Sequence, residues 1–167
     1  MSDPNNYWMQ LERLERLIRA SELKSGIIFS FHSVILGFFF DRMDYLQQIF
    51  QNNIFFIILV SLWLIFVFIS LFFSIKCFIP KMELKYDKNV FFFRDAVYRF
   101  GNVEEYRKKI IDVCNNQDEL FKHLSEQIHV ESKIIEFKFK YVKRSIIFFA
   151  ISFIFVVLMF ILWVIII

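Results

Sequence analysis

The chain has 167 residues, 57% of them hydrophobic, with mean hydropathy +0.51 and a net charge of +3. That composition excludes a disordered chain and speaks against an ordinary soluble domain. With 25 Phe against 3 Gly and 2 Pro it favours helices and leaves no glycine-rich phosphate loop, and the small net charge speaks against a nucleic-acid polymer as partner.

Residues 1–24 open the chain with Trp8, Leu11, Leu14, Leu17 and Ile18 at helical spacing, and Glu and Arg between them. This pattern predicts an amphipathic helix that runs straight into the first apolar stretch, Ser25–Phe40. At 1.5 Å per residue the stretch covers about 24 Å, short of a ~30 Å hydrocarbon core. Leu23 or Met43 extends it, with Lys24 snorkelling. It is read as retained, because it follows a charged lead and ends at Asp41-Arg42 without a small-residue cleavage site.

Gly26, Ser30, Ser33 and Gly37 recur within it at steps of 4, 3 and 4. Small residues on one face let another helix approach closely. The stripe suits an oligomer contact or packing against the second span equally. His32 lies inside the stretch, where an ionisable group is a functional candidate by default. A neutral imidazole hydrogen-bonded to another helix is the better account.

Asp41–Asn53 is expected to be a short link. Ile54–Ile75 then runs without Asp, Glu, Lys, Arg or His, long enough to cross a bilayer, which takes ~20 helical residues. Pro80 is expected to close this span between Lys76 and Lys81. Ser70 and Ser74 give it a weaker small-residue face.

Lys76–Arg144 holds 15 of the 20 Lys and Arg residues and 11 of the 17 acids. Residues 1–24 add Arg13, Arg16, Arg19 and Lys24, whereas the link has one Arg and two Asp. The positive-inside rule therefore places the N-terminus and the charged insert in the cytoplasm and the link outside. Three spans satisfy it; a two-span topology ranks second, since it puts four basic residues on the wrong side. Cys77 and Cys114 form no CxxC and are expected as free cytoplasmic thiols.

Within the insert, Asn102-Val-Glu-Glu105 has the form of a capping box, starting a helix near Val103 that ends around Asn115–Asn116. A second helix begins near Asp118. Leu120, Leu124, Ile128, Ile135, Phe139 and Val142 give it an apolar stripe, and no Gly or Pro interrupts the chain from Asp118 to Ile167. One helix of about 50 residues, roughly 75 Å, therefore carries the insert into the charge-free segment Ser145–Ile167. The expected fold is an all-α membrane protein with three transmembrane helices and a helical cytosolic domain between the second and third. Its parts are residues 1–24, 25–80, 81–144 and 145–167.

Nothing pairs a nucleophile with a base. His123 and His129, six apart, do not share a helix face, so neither a catalytic, a metal nor a cofactor site is expected. Asp118–Glu119 and Glu104–Glu105 are simplest as helix-start carboxylates.

Three motifs carry a resemblance. They are Arg19-Ala-Ser-Glu-Leu-Lys24-Ser-Gly ahead of the first span, Asn89-Val-Phe-Phe-Phe-Arg94-Asp95 after the second, and Gln127-Ile-His-Val-Glu-Ser132-Lys133-Ile with Lys140-Tyr before the last. In this order they resemble the transmembrane effector of bacterial Pycsar anti-phage defence. The chain departs at Ser25-Gly-Ile-Ile-Phe, where that family usually carries an alanine-rich small-residue pattern. The resemblance implies an effector of the bacterial inner membrane that senses a cyclic pyrimidine mononucleotide, cyclic CMP or cyclic UMP, made by a partner cyclase, and then impairs the membrane. Such a ligand needs a cation for its phosphate, a flat surface for its base and polar groups for specificity. Arg94, Lys133 and Lys140 can supply charge, Phe91–Phe93 and Tyr141 can stack, and Asp95, Gln127 and Ser132 can read base or ribose edges. For Lys140, Lys143 and Arg144 the role of membrane anchor is the stronger account, because they flank the last span. For Arg94, Gln127 and Lys133 both accounts stand.

The expected function is an abortive-infection effector, a homo-oligomer in the lipid bilayer, switched on by its ligand and not an enzyme. A constitutive holin-like pore-former and a non-enzymatic anchor subunit of a larger complex are the rivals. Toxicity separates them: a holin kills when expressed alone, an anchor never kills, and a gated effector kills only with its signal.

Overall fold

The computed structural model describes residues 3–79 and 88–166, and the expected stop at Pro80–Lys81 lies outside them. Six helices make up the described chain: α1 (Pro4–Asp41), α2 (Met43–Asn52), α3 (Ile54–Phe78), α4 (Phe93–Tyr98), α5 (Val103–Asn115) and α6 (Gln117–Ile166). Three of them, α1, α3 and α6, are long and apolar enough to cross a membrane. The chain divides into two compact units. The first takes residues 1–19 and 80–136, the second residues 20–79 and 137–167. Helices α1 and α6 each contribute to both. The sequence-based boundary at Arg144–Ser145 falls eight residues later than this division.

Local chemistry accounts for the helix ends. Asp3 accepts from the Asn5 amide at 2.9 Å, and Pro4 sits at the first helical position, where its missing N–H costs nothing. Asn53 caps α3 by accepting from the amides of Phe55 and Phe56. Asn102 caps α5 by accepting from Glu105 N at 3.0 Å. The return bond of the capping box differs from expectation: the Asn102 side-chain amide donates to Glu105 Oε1, at 3.5 Å. Gly101 precedes this cap with φ +70°, a left-handed conformation that a side chain would strain.

Two expectations need correction. Asp41–Asn53, expected as a short outer loop, is largely helical, because ten of its residues form α2, with Asp44 in its first turn. Phe139 does not continue the buried stripe of α6. It is exposed, whereas Leu124, Ile135 and Val142 are buried, and the buried neighbour is Lys138. An α-helix turns 100° per residue, so a strict repeat drifts off the contact line.

In the second unit Phe56, Val60, Trp63 and Val67 of α3 form a core with Met159 of α6, flanked by Ile35, Leu36 and Phe39 of α1. Many large apolar residues stay exposed, among them Phe38, Phe55, Phe68, Phe153 and Phe160. In water such a surface marks a contact; in a bilayer it is the ordinary lipid face. A polar seam crosses the same unit. Ser70 Oγ donates to Ser145 O and Ser145 Oγ to Ser70 O, each at 3.0 Å. The hydroxyls of Ser74 and Ser145 lie 2.7 Å apart, and Ser25 Oγ donates to Ser74 O. All four serines are fully buried. Hydrocarbon offers a hydroxyl no other partner, so these bonds join α1, α3 and α6, at about 0.6 kcal/mol apiece.

Candidate functional site

In the first unit the segment 88–94 is held by the side chain of Asn89. Asn89 is fully buried. Its amide nitrogen donates to His123 O and to Glu126 Oε2, each at 2.9 Å, and its Oδ1 accepts from Phe91 N. Its backbone N–H donates to Asp95 Oδ2 at 2.9 Å. Tyr106 adds a hydrogen bond to Val90 O. An Asn that closes a turn on its own backbone while anchoring to a helix sets the direction in which the chain leaves it, here through Phe92, Phe93 and Arg94.

Those three residues line a cavity of about 180 Å³ with Glu15 and Ile18 of α1 and Gln127, Val130, Glu131 and Ile134 of α6. Among the described residues Arg94 is the cation of this lining, and it is exposed. Gln127 donates to Glu131 Oε1 at 2.8 Å. That bond leaves Gln127 Oε1 and Glu131 Oε2 buried without a hydrogen-bond partner among the described residues. Burial pushes the Glu131 carboxyl above its usual range; the Gln127 bond opposes the rise and the Glu15 charge adds to it. Two unpaired acceptors beside an aromatic pair and a guanidinium make a site that still has hydrogen bonds to form.

The expected ligand residues are thus divided. Arg94 and Gln127 come together, with Phe92 and Phe93. Asp95 is buried at 1% exposure and turns elsewhere, to Asn89 N and to Arg99 Nε at 3.3 Å, so it holds the turn. Ser132 and Lys133 are exposed on α6 and do not line the cavity. Lys140 is exposed and belongs to the second unit. Phe91 packs edge-on against Trp8, and Tyr141 packs on Phe73 and Phe137. Glu131 and Glu15 were not singled out from sequence, although Glu131 lies inside the Gln127–Ile134 motif, four residues from Gln127 on one helix face. Among the described residues no group of three His, Cys, Asp or Glu is placed to hold a metal.

The second unit holds a buried charge that sequence reasoning missed. Lys138, 4% exposed, donates to Glu22 Oε1 and to Cys77 O, both at 2.7 Å. Cys77 Sγ in turn approaches Ser21 O at 3.8 Å. Ser21 and Glu22 belong to the Arg19–Gly26 motif, so that motif meets α3 and α6 through its acid and its serine. Lys24, the basic residue nearest the first span, is exposed.

The small-residue stripe points away from the packed seam. Ser30, Ser33 and Gly37 are exposed, and only Gly26 approaches α3, with Phe78 near it. Ser30 and Ser33 return their hydroxyls to Gly26 O and Phe29 O of their own helix. The residues of α1 buried in the second unit are Ser21, Ser25, Ile28 and His32. The hydrogen bond expected for His32 is not found: neither ring nitrogen has a partner among the described residues, and the ring packs edge-on against Phe149 at 5.0 Å.

A family model described as the Pycsar effector protein domain matches residues 6–165. No curated protein and no solved structure matches the chain.

Proposed function

The chain belongs to the Pycsar effector family, and we propose that it is a membrane effector of antiviral abortive infection, switched on by a cyclic pyrimidine mononucleotide from a partner cyclase. The cavity that joins Arg94 to the unpaired acceptors of Gln127 and Glu131 carries this reading. At about 180 Å³ it lies below the ~300 Å³ at which pockets take whole ligands. It therefore receives the base, between Phe92 and Phe93 and the polar pair, while the cyclic phosphate stays at the exposed Arg94. Donors on a pyrimidine edge meet the free oxygens of Gln127 and Glu131. The raised proton affinity of Glu131 limits its repulsion of an anionic ligand.

The N-terminus and first unit are assigned to the cytoplasm, in keeping with the Lys and Arg distribution, and the second unit to the inner membrane. Activation is a population shift: the ligand must bind one arrangement of α6 better than another, or nothing changes. Because α6 is one helix from Gln117 to Ile166, a change at Gln127 or Glu131 acts on the same element that carries Ser145 and Met159. The exposed Ser30–Ser33–Gly37 face is assigned to a contact between copies in the active state. The protein acts by binding and assembly, without catalysis.

Titration of the purified protein in detergent with cyclic CMP and cyclic UMP tests this reading. Saturable binding of one of them, with toxicity in cells only when that nucleotide is supplied, is expected. No binding of either, with toxicity on expression alone, would replace it with a constitutive pore; neither binding nor toxicity would leave an anchor subunit.

A further inference from the structure

The second unit contains a cavity of about 810 Å³ at the end where α1 closes, α3 opens and α6 closes. Buried Trp63 and Met159 and half-buried Phe39 form its inner wall, and exposed Arg42, Tyr45 and Trp163 stand at its edge. Its volume falls in the ~300–1,000 Å³ range of sites that hold an organic ligand. Among the described residues lining it, Arg42 alone carries a charge. We propose that this cavity holds an acyl chain of one anionic phospholipid, with the lipid phosphate bound by Arg42.

Three observations favour that occupant. The wall is aliphatic and aromatic, matching an alkyl chain and no polar solute. Tyr45 and Trp163 are the residue types found at headgroup depth, which sets Arg42 at the level of lipid phosphates. The Arg42 guanidinium is also available. Its ion pair with Asp41 is long, at 3.5 Å, with both side chains about two-thirds exposed, and such pairs hold weakly. Among the described residues its other contact is with the face of Tyr45 at 5.8 Å, which leaves its N–H edge open for bidentate phosphate binding. A helix of a second copy fits less well, since it would bury this guanidinium and its loosely paired Asp41 carboxylate in an apolar contact. The inference stands on the membrane-spanning character of α1, α3 and α6 and is independent of nucleotide binding.

Native mass spectrometry of the full chain in detergent, with added phosphatidylglycerol or phosphatidylcholine of matched chains, tests it. Wild type is expected to retain one phosphatidylglycerol per chain, about tenfold more tightly than phosphatidylcholine. Arg42→Gln should bring the two lipids to the same level. Val156→Trp, which fills the cavity from α6, should abolish retention of both while keeping the helical circular dichroism. Equal retention of both lipids by wild type, or a preference that survives Arg42→Gln, would overturn the proposal. So would a dimer without bound lipid that Val156→Trp disrupts, which would make a second copy the occupant. Arg42 is exposed, so its variant decides the matter even if Val156→Trp does not fold.

Discussion

Lys138 and Glu22 form an ion pair at 2.7 Å although they lie 116 positions apart, and Lys138 spends a second proton on Cys77 O, also at 2.7 Å. The cation is almost fully buried, while the Glu22 side chain keeps 38% of its surface exposed. The two ends of the pair are therefore unequal. Removing Glu22 strands a buried ammonium; removing Lys138 leaves a carboxylate that still reaches polar surroundings. Full loss of a buried partner costs about 3–5 kcal/mol, and the exposure of Glu22 reduces this to about 1–3 kcal/mol. Glu22→Ala is thus expected to lower the thermal midpoint in detergent more than Lys138→Met does. The reverse order would show that the pair does not hold α1 to α6.

This pair also marks where the sequence stops being readable. The spans follow from composition, because segments such as Ile54–Ile75 have no other stable solution in lipid. The unbroken α6 and the Asn102 cap follow from the absence of Gly and Pro and from one local motif. Lys138 does not follow. In a run that also holds Lys140, Lys143 and Arg144 it reads as a snorkelling anchor, and only the distant Glu22 and Cys77 carbonyl make burial tolerable. The site is legible to the same degree. Arg94 and Gln127 stand out by residue type and motif, whereas the separation of Lys133 and Ser132 from them depends on α6 phase relative to a segment fixed by Asn89. Asp95 has the chemistry of a ligand contact, but the turn uses it.

The proposed sensing role is tested by that division. If Arg94 meets the phosphate and Gln127 the base, Arg94→Ala should weaken cyclic nucleotide binding by about 10- to 150-fold, the range for one charge-assisted bond. Gln127→Ala should weaken it less, and Lys133→Ala and Lys140→Ala should leave it within about twofold. Isothermal titration of the four variants makes the comparison. Equal losses for Arg94→Ala and Lys133→Ala would move the phosphate out of the cavity and onto the outer face of α6.

Glu131 gives the first unit a pH dependence. Burial holds its carboxyl above the ordinary value of 4.5. The folded chain then keeps this proton more tightly than the unfolded chain does. Its contribution favours folding below 4.5 and is lost as pH rises through the raised folded value. Glu131→Gln cannot titrate. It is expected to flatten the stability profile across this window and to be more stable than wild type at neutral pH, measured by denaturant unfolding at a series of pH values. Parallel profiles for the two proteins would show that other groups govern the acid range.

His32 offers the sharpest contrast between stability and function. Its ring is 1% exposed, beside Phe149, with both nitrogens unpartnered among the described residues. A buried polar group left without a hydrogen bond costs about 1–3 kcal/mol, and hydrocarbon outside the bundle offers no relief. An apolar side chain of similar size removes this cost. His32→Leu is therefore expected to raise the thermal midpoint in detergent, with the Ser25–Ser74 and Ser70–Ser145 bonds intact. A midpoint that falls would mean that the imidazole is bonded within the folded bundle. The second measurement is toxicity in the presence of the cyclic nucleotide. If the unpartnered ring finds its hydrogen bond only in the activated arrangement, the stabilised variant should respond weakly or not at all, because the substitution favours the resting state and takes away a bond of the active one. Full toxicity in a more stable protein would assign His32 to packing alone.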